Sequence, residues 1–170
     1  YRPLVGEARS PINMPVTPLH LGPAFALRAA FGVRFGLLGF LGSQVLLDME
    51  PGLKLFGFIP EGRGLHEGHT WLLAPAFIGA AWLIAAAGQR LLRTNIPRLL
   101  FVKRRLGWLR SGVAAEGMGA TLGVVSHLLL DAFYHRDVAA NVGLPGTSGV
   151  IAPQTIDLCL LLLLPVSAFW

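Results

Sequence analysis

In the stretch "GRGLHEGHTW", residues 62–71, His66 and His69 stand three apart at the mouth of an apolar run, in a chain with only five histidines. That spacing lets both imidazoles reach one divalent ion from a helix or a tight turn. In "SHLLLD", His127 and Asp131 are four apart. At about 100° per residue they lie about 40° from each other around a helix and share one face, which can hold a metal. In "LLDMEPG", Asp48 and Glu50 precede Pro51 and Gly52, where a helix is expected to stop. Residues two apart on a helix point in directions about 200° apart, so one carboxylate faces a given ion, and Asp48, which ends the apolar run, is the better placed. His20, in "TPLHLGP", completes a candidate ligand set of His20, Asp48, His66, His69, His127 and Asp131. Glu50 and Glu67 are candidate proton acceptors for a metal-bound water.

Each group has a plainer reading. His66 and His69 can be solvated loop histidines, His127 a polar helix contact, Asp48 and Glu50 helix-end carboxylates, and His20 a residue bonded to backbone where a helix begins. Asp137 and Asp157 read better as loop or interfacial charges than as ligands. "HEGH" also falls one residue short of the zincin spacing, so no zincin is inferred. What favours ligation is the cost of placing ionisable residues in an apolar chain without a function.

The elements that must carry these residues follow from composition. The 170 residues are 54% hydrophobic and 14% charged, with a mean hydropathy of +0.60, against about 25% charged residues in a soluble domain. A membrane protein is expected, and with roughly 20 apolar residues needed per span the length suits one domain. Five apolar runs occupy residues 19–32, 35–47, 71–88, 113–135 and 155–170. The fold expected is all-α: an integral membrane bundle of about four to five short transmembrane or re-entrant helices, the first two runs being short for a full crossing. Residues 1–13 read as an N-terminal extension before Met14, and residues 14–170 as a single helical membrane domain. Cys159 is the only cysteine, which excludes an internal disulfide and leaves a metal with nitrogen and oxygen ligands.

The net charge is +5, yet the basic residues are not interleaved with aromatics along a face, which speaks against nucleic acid. Arg90, Arg93, Arg98, Lys103, Arg104, Arg105 and Arg110 fall instead in one connector, residues 89–112. That is the pattern of a cytoplasmic loop in contact with anionic membrane lipids. With this connector fixed inside and one crossing per run, His20, Asp48, His69, Asp131 and His135 meet in one non-cytoplasmic layer, with His135 extending the His127–Asp131 stripe. Glu116 falls on that same stripe but roughly 16 Å deeper. Gly117, Gly119, Ala120 and Gly123 would let the helix at 113–135 pack closely. Besides Glu116, Gln44 is nearly the only deep polar residue, too few for a transporter or channel.

Assembled in this order, "TPLH", "DMEP", "HEGHT" and "SHLLLD" resemble the small multi-spanning bacterial membrane-bound metal-dependent hydrolases, over most of the chain. The resemblance implies a bundle in the bacterial inner membrane and one or two divalent ions, zinc foremost, held by those residues. The histidine pair here is tighter than in the family, and "DME" offers Glu50 where an Asp followed by His is commoner. The activity implied is hydrolysis of an ester or phosphoester by a metal-activated water, on a lipid-like substrate given the site's position. The alternative is a non-catalytic subunit of a larger membrane protein complex, whose His/Asp layer binds a structural metal or a cofactor such as haem.

Overall fold

A computed structural model describes residues 22–58, 60, 67–93, 109–144 and 146. His20, His66, most of the basic connector and the apolar run at 155–170, with Asp157 and Cys159, lie outside the described residues. The described residues are helical, with no strand among them. The helices are α1, Gly22–Phe31; α2, Leu37–Leu55; α3, Ala74–Arg93; α4, Val113–Tyr134; and α5, Arg136–Asn141; a 3₁₀ turn at Gly32–Arg34 joins the first two.

The α3 and α4 helices are long and apolar enough to cross a membrane. With ten residues, α1 measures about 15 Å, half the roughly 30 Å of a bilayer's hydrocarbon. The first five residues of the expected connector, Gln89 to Arg93, are instead the last turns of α3.

A second departure concerns α2, which was expected to end at Pro51 and Gly52 but runs on to Leu55 with Pro51 inside it. Proline forfeits one backbone hydrogen bond there. A Lys54 Nζ to Glu50 Oε1 bond of 2.7 Å spans the turn that contains it. The true stop is Gly57, whose φ of +73° suits glycine. Its N–H donates to Lys54 O and that of Phe58 to Leu53 O, the paired bonds of a Schellman cap.

Helices α2 and α4 run side by side and parallel, and α3 returns antiparallel against both. The close approach of α2 and α4 comes from small residues, as expected from "GMGATLG". A Cβ on Gly119 would strike the Gly36 carbonyl, one on Gly39 the Glu116 carbonyl, and one on Gly123 the Ser43 hydroxyl. Two apolar clusters flank this seam. Leu47, Ala74, Val124, Leu128, Ala132, Val138, Ala139 and Val142 pack at the end where α2 and α4 finish. Ala24, Phe35, Leu37, Phe40 and Leu109 pack at the other end.

Near where α2 and α4 begin, Glu116 is fully buried and accepts from Gly39 N at 2.6 Å, from Gln89 Nε2 at 2.6 Å and from the Ser111 hydroxyl. Gly36, the N-cap of α2, has no side chain to offer, so Glu116 supplies the cap oxygen from the neighbouring helix. Arg28 ties α1 into the same end through the carbonyls of Gly32 at 2.8 Å, Phe35 at 2.7 Å and Arg110 at 2.9 Å.

Candidate metal centre

At the opposite end the parallel pair presents its acidic and imidazole groups to the start of α3. Asp48 is on α2, His127 and Asp131 are one turn apart on α4, and His69 lies just before α3, where Trp71 Nε1 donates to Val142 O at 2.9 Å and anchors the segment. His69, His127 and Asp131 are almost wholly buried, and the Asp48 side chain is 26% exposed. One ligand atom from each of Asp48, His69 and His127 lies within 4.8 Å of the others, an arrangement that can hold a metal ion.

The individual separations have the scale of a coordination shell. His127 Nε2 is 3.3 Å from Asp48 Oδ1 and 3.2 Å from Asp131 Oδ2, and His69 Nε2 is 3.4 Å from that same oxygen. Bonds of 2.0–2.1 Å to a tetrahedral ion set neighbouring ligand atoms about 3.3 Å apart. The two imidazoles approach with ring centroids 5.4 Å apart and planes tilted by 42°, so they converge on a point rather than stack.

Gln44 fixes which nitrogen His127 offers. Its Nε2 donates to Gly123 O at 2.9 Å, and since a carbonyl can only accept, its Oε1 must be the atom 2.8 Å from His127 Nδ1. Nδ1 therefore carries a proton and Nε2 is the atom turned to the carboxylates. A ring nitrogen lone pair facing two carboxylate oxygens at 3.2 and 3.3 Å is repulsive unless a cation, proton or metal ion, lies among them. This is the outer-sphere arrangement common at metal-bound histidines.

Glu50 points elsewhere. Because α2 stays helical through Pro51, Asp48 and Glu50 project from different sides, and Glu50 accepts from Lys54 on one oxygen and from Gly68 N, at 2.6 Å, on the other. It thereby holds the backbone next to His69. Glu67 is half exposed and 3.8 Å from the nearly buried Lys54. His135 does not extend the stripe, because its φ of −120° and ψ of 121° end α4 there. Glu116 is at the far end of the bundle, in the network described above.

Two residues that shape this centre were missed as parts of it. Gln44 lies one turn before Asp48 on the same face, which is the signal that links them. Lys54 stands four residues after Glu50, the favourable order for a helical ion pair. Among protein families, curated proteins and solved structures, nothing matches this chain.

Proposed function

We propose that this chain is an integral membrane hydrolase that uses a divalent metal, zinc foremost, bound by Asp48, His69 and His127 to cleave an ester or phosphoester. The observation that carries the reading is the convergence of those three donors within 4.8 Å of one another, beside the buried carboxylate of Asp131. Asp48, His69 and His127 would hold such an ion and leave a fourth position open, where the metal would supply an activated water of near-neutral pKa. Asp131, whose Oδ2 lies within 3.4 Å of both imidazoles, is placed to take the water's proton. Glu50 and Glu67, engaged with Lys54 and the Gly68 amide, serve to hold the His69 segment. His20 and His66 remain candidate ligands, for this ion or a second one.

The bilayer setting rests on composition and on the apolar lengths of α3 and α4. Their arrangement with α2 brings the metal group to the end opposite Arg90, Arg93 and Arg110, so the positive-inside rule assigns the group to the non-cytoplasmic side. A substrate met at that depth is lipid-like or amphipathic, and the resemblance to bacterial membrane-bound metal-dependent hydrolases points the same way.

One feature favours a second reading. If Asp131 Oδ2 is itself a ligand, the ion has four protein donors and no open position, which suits a structural metal in a subunit of a larger membrane complex. Elemental mass spectrometry on detergent-purified protein, with esterase and phospholipase assays, separates the readings. Stoichiometric zinc with turnover, both lost in His127→Ala, is expected for the hydrolase. Stoichiometric zinc with no turnover on any ester supports the structural ion, and no metal after chelator-free purification overturns both.

A further inference from the structure

Away from the metal group, a cavity of about 490 Å³ opens between the last turns of α3 and the start of α4, within the range of small-ligand pockets. Ala86, Arg90 and Arg93 line it from α3 and Val113 from α4. Trp82, one turn before Ala86 and outside that lining, continues the same stripe at three- and four-residue steps, so the stripe on α3 passes from apolar to cationic. Trp82 Nε1 donates to Val113 O at 2.9 Å, which fixes the indole against the first residue of α4. At the other end of the stripe, Arg93 Nη2 donates to Ser111 O at 2.7 Å and is held at the cavity's edge, while Arg90 is exposed beside it.

The charged residues that line the cavity, Arg90 and Arg93, are both cationic. The one acid of the first turn of α4, Glu116, is buried behind the lining residue Gln89, its carboxylate engaged by Gly39 N, Gln89 Nε2 and the Ser111 hydroxyl. The ligand that fits has a negative head at Arg90 and Arg93 and an apolar body that runs past Ala86 onto Trp82. Exposed Leu83, next to this stripe on the helix, widens the apolar surface alongside.

We infer that this cleft is a binding site for one anionic phospholipid, its phosphate on Arg90 and Arg93 and an acyl chain along Ala86 and Trp82. The inference rests on the bilayer setting proposed above and is independent of the hydrolase reading. In a membrane with the arginine end inside, the cleft faces the leaflet rich in anionic lipid.

Native mass spectrometry of the full chain in detergent tests it, with titration by phosphatidylglycerol and, in parallel, by phosphatidylcholine of the same chain length. The expected result is one tightly held phosphatidylglycerol, preferred at least tenfold over phosphatidylcholine. Arg90→Gln alone, which leaves the Arg93–Ser111 bond in place, should weaken that lipid at least threefold, and the Arg90→Gln/Arg93→Gln double variant at least tenfold. Arg34→Gln, a change of equal charge at an exposed site between α1 and α2, should have no effect. Equal affinity for both lipids, or an unchanged Arg90→Gln variant, overturns the proposal. Displacement of the lipid by equimolar glycerol phosphate overturns it in favour of a soluble anion. Alkaline carbonate extraction of cell membranes separates the two failures. A chain that resists extraction but shows no lipid preference lacks only this site, whereas one released by carbonate loses the bilayer setting and the site together.

Discussion

Replacing Gln44 with leucine tests the metal centre through a residue that touches no metal. The substitution removes both bonds of the amide, to His127 Nδ1 at 2.8 Å and to Gly123 O at 2.9 Å. Gly123 O keeps the Ser126 hydroxyl at 3.1 Å, so the loss falls on His127, whose buried Nδ1–H has then no acceptor in Gln44 and whose ring is no longer held in one tautomer. Loss of such an outer partner costs about 10–100-fold in metal affinity, or about 1.4–2.8 kcal/mol. The assay is competition with a chromogenic zinc chelator on metal-stripped, detergent-solubilised protein, with helix content checked by circular dichroism. Gln44→Glu restores an acceptor for Nδ1–H and should retain more affinity than the leucine variant. A Gln44→Leu protein of native helix content that binds zinc within threefold of the original would refute the assignment of Nε2 as the ligand atom.

Further substitutions probe the groups around it. Lys54→Met leaves the Glu50 carboxylate with Gly68 N but without its cation, and should weaken zinc binding several-fold, less than Gln44→Leu, in the same competition assay. Gly119→Ala sets a methyl group against the Gly36 carbonyl. An overpacking cost of about 1–3 kcal/mol is expected in SDS unfolding, along with reduced zinc content, because Asp48 and His127 are carried by the two helices it separates. Glu116→Gln replaces one carboxylate oxygen with an NH₂ group, set either against Gly39 N or against Gln89 Nε2 and the Ser111 hydroxyl, donors that now meet an acceptor. It should cost about 1–3 kcal/mol in the same unfolding measurement while zinc binding in the folded protein is kept, since the two groups occupy opposite ends of the bundle.

The sequence discloses the parts of this structure that depend on local periodicity. The placing of α3 and α4 follows from the length of their apolar runs, and the shared face of His127 and Asp131 and the divergence of Asp48 from Glu50 follow from the helical repeat. The small residues of α4 likewise announce a close neighbour, although which helix it would be was not legible. What stayed hidden depends on partners distant in sequence. Pro51 is a strong breaker in isolation, and only the Glu50–Lys54 pair and the cap at Gly57 show that the helix survives it. Glu50 was read as a possible base because its carboxylate sits near the ligand group in sequence, whereas the Gly68 amide that occupies it comes from the next segment. Gln44 looked like an isolated polar residue, since the histidine it orients is 83 positions away.

The parallel contact between α2 and α4 also sets an order of events during biosynthesis. Two parallel helices cannot meet until the segment between them has turned back, so α2 must wait, with Asp48 and Gln44 in place, while α3 and the basic connector leave the ribosome. The glycine seam can close only when α4 arrives, and its closure brings His127 under Gln44 and beside Asp48 at once. A nascent chain truncated before α4 would carry Asp48 and His69 but not His127. Under the proposed metal-binding reading, ion capture would be a late event, coupled to the docking of α4, and a metal supplied earlier would find only a partial shell.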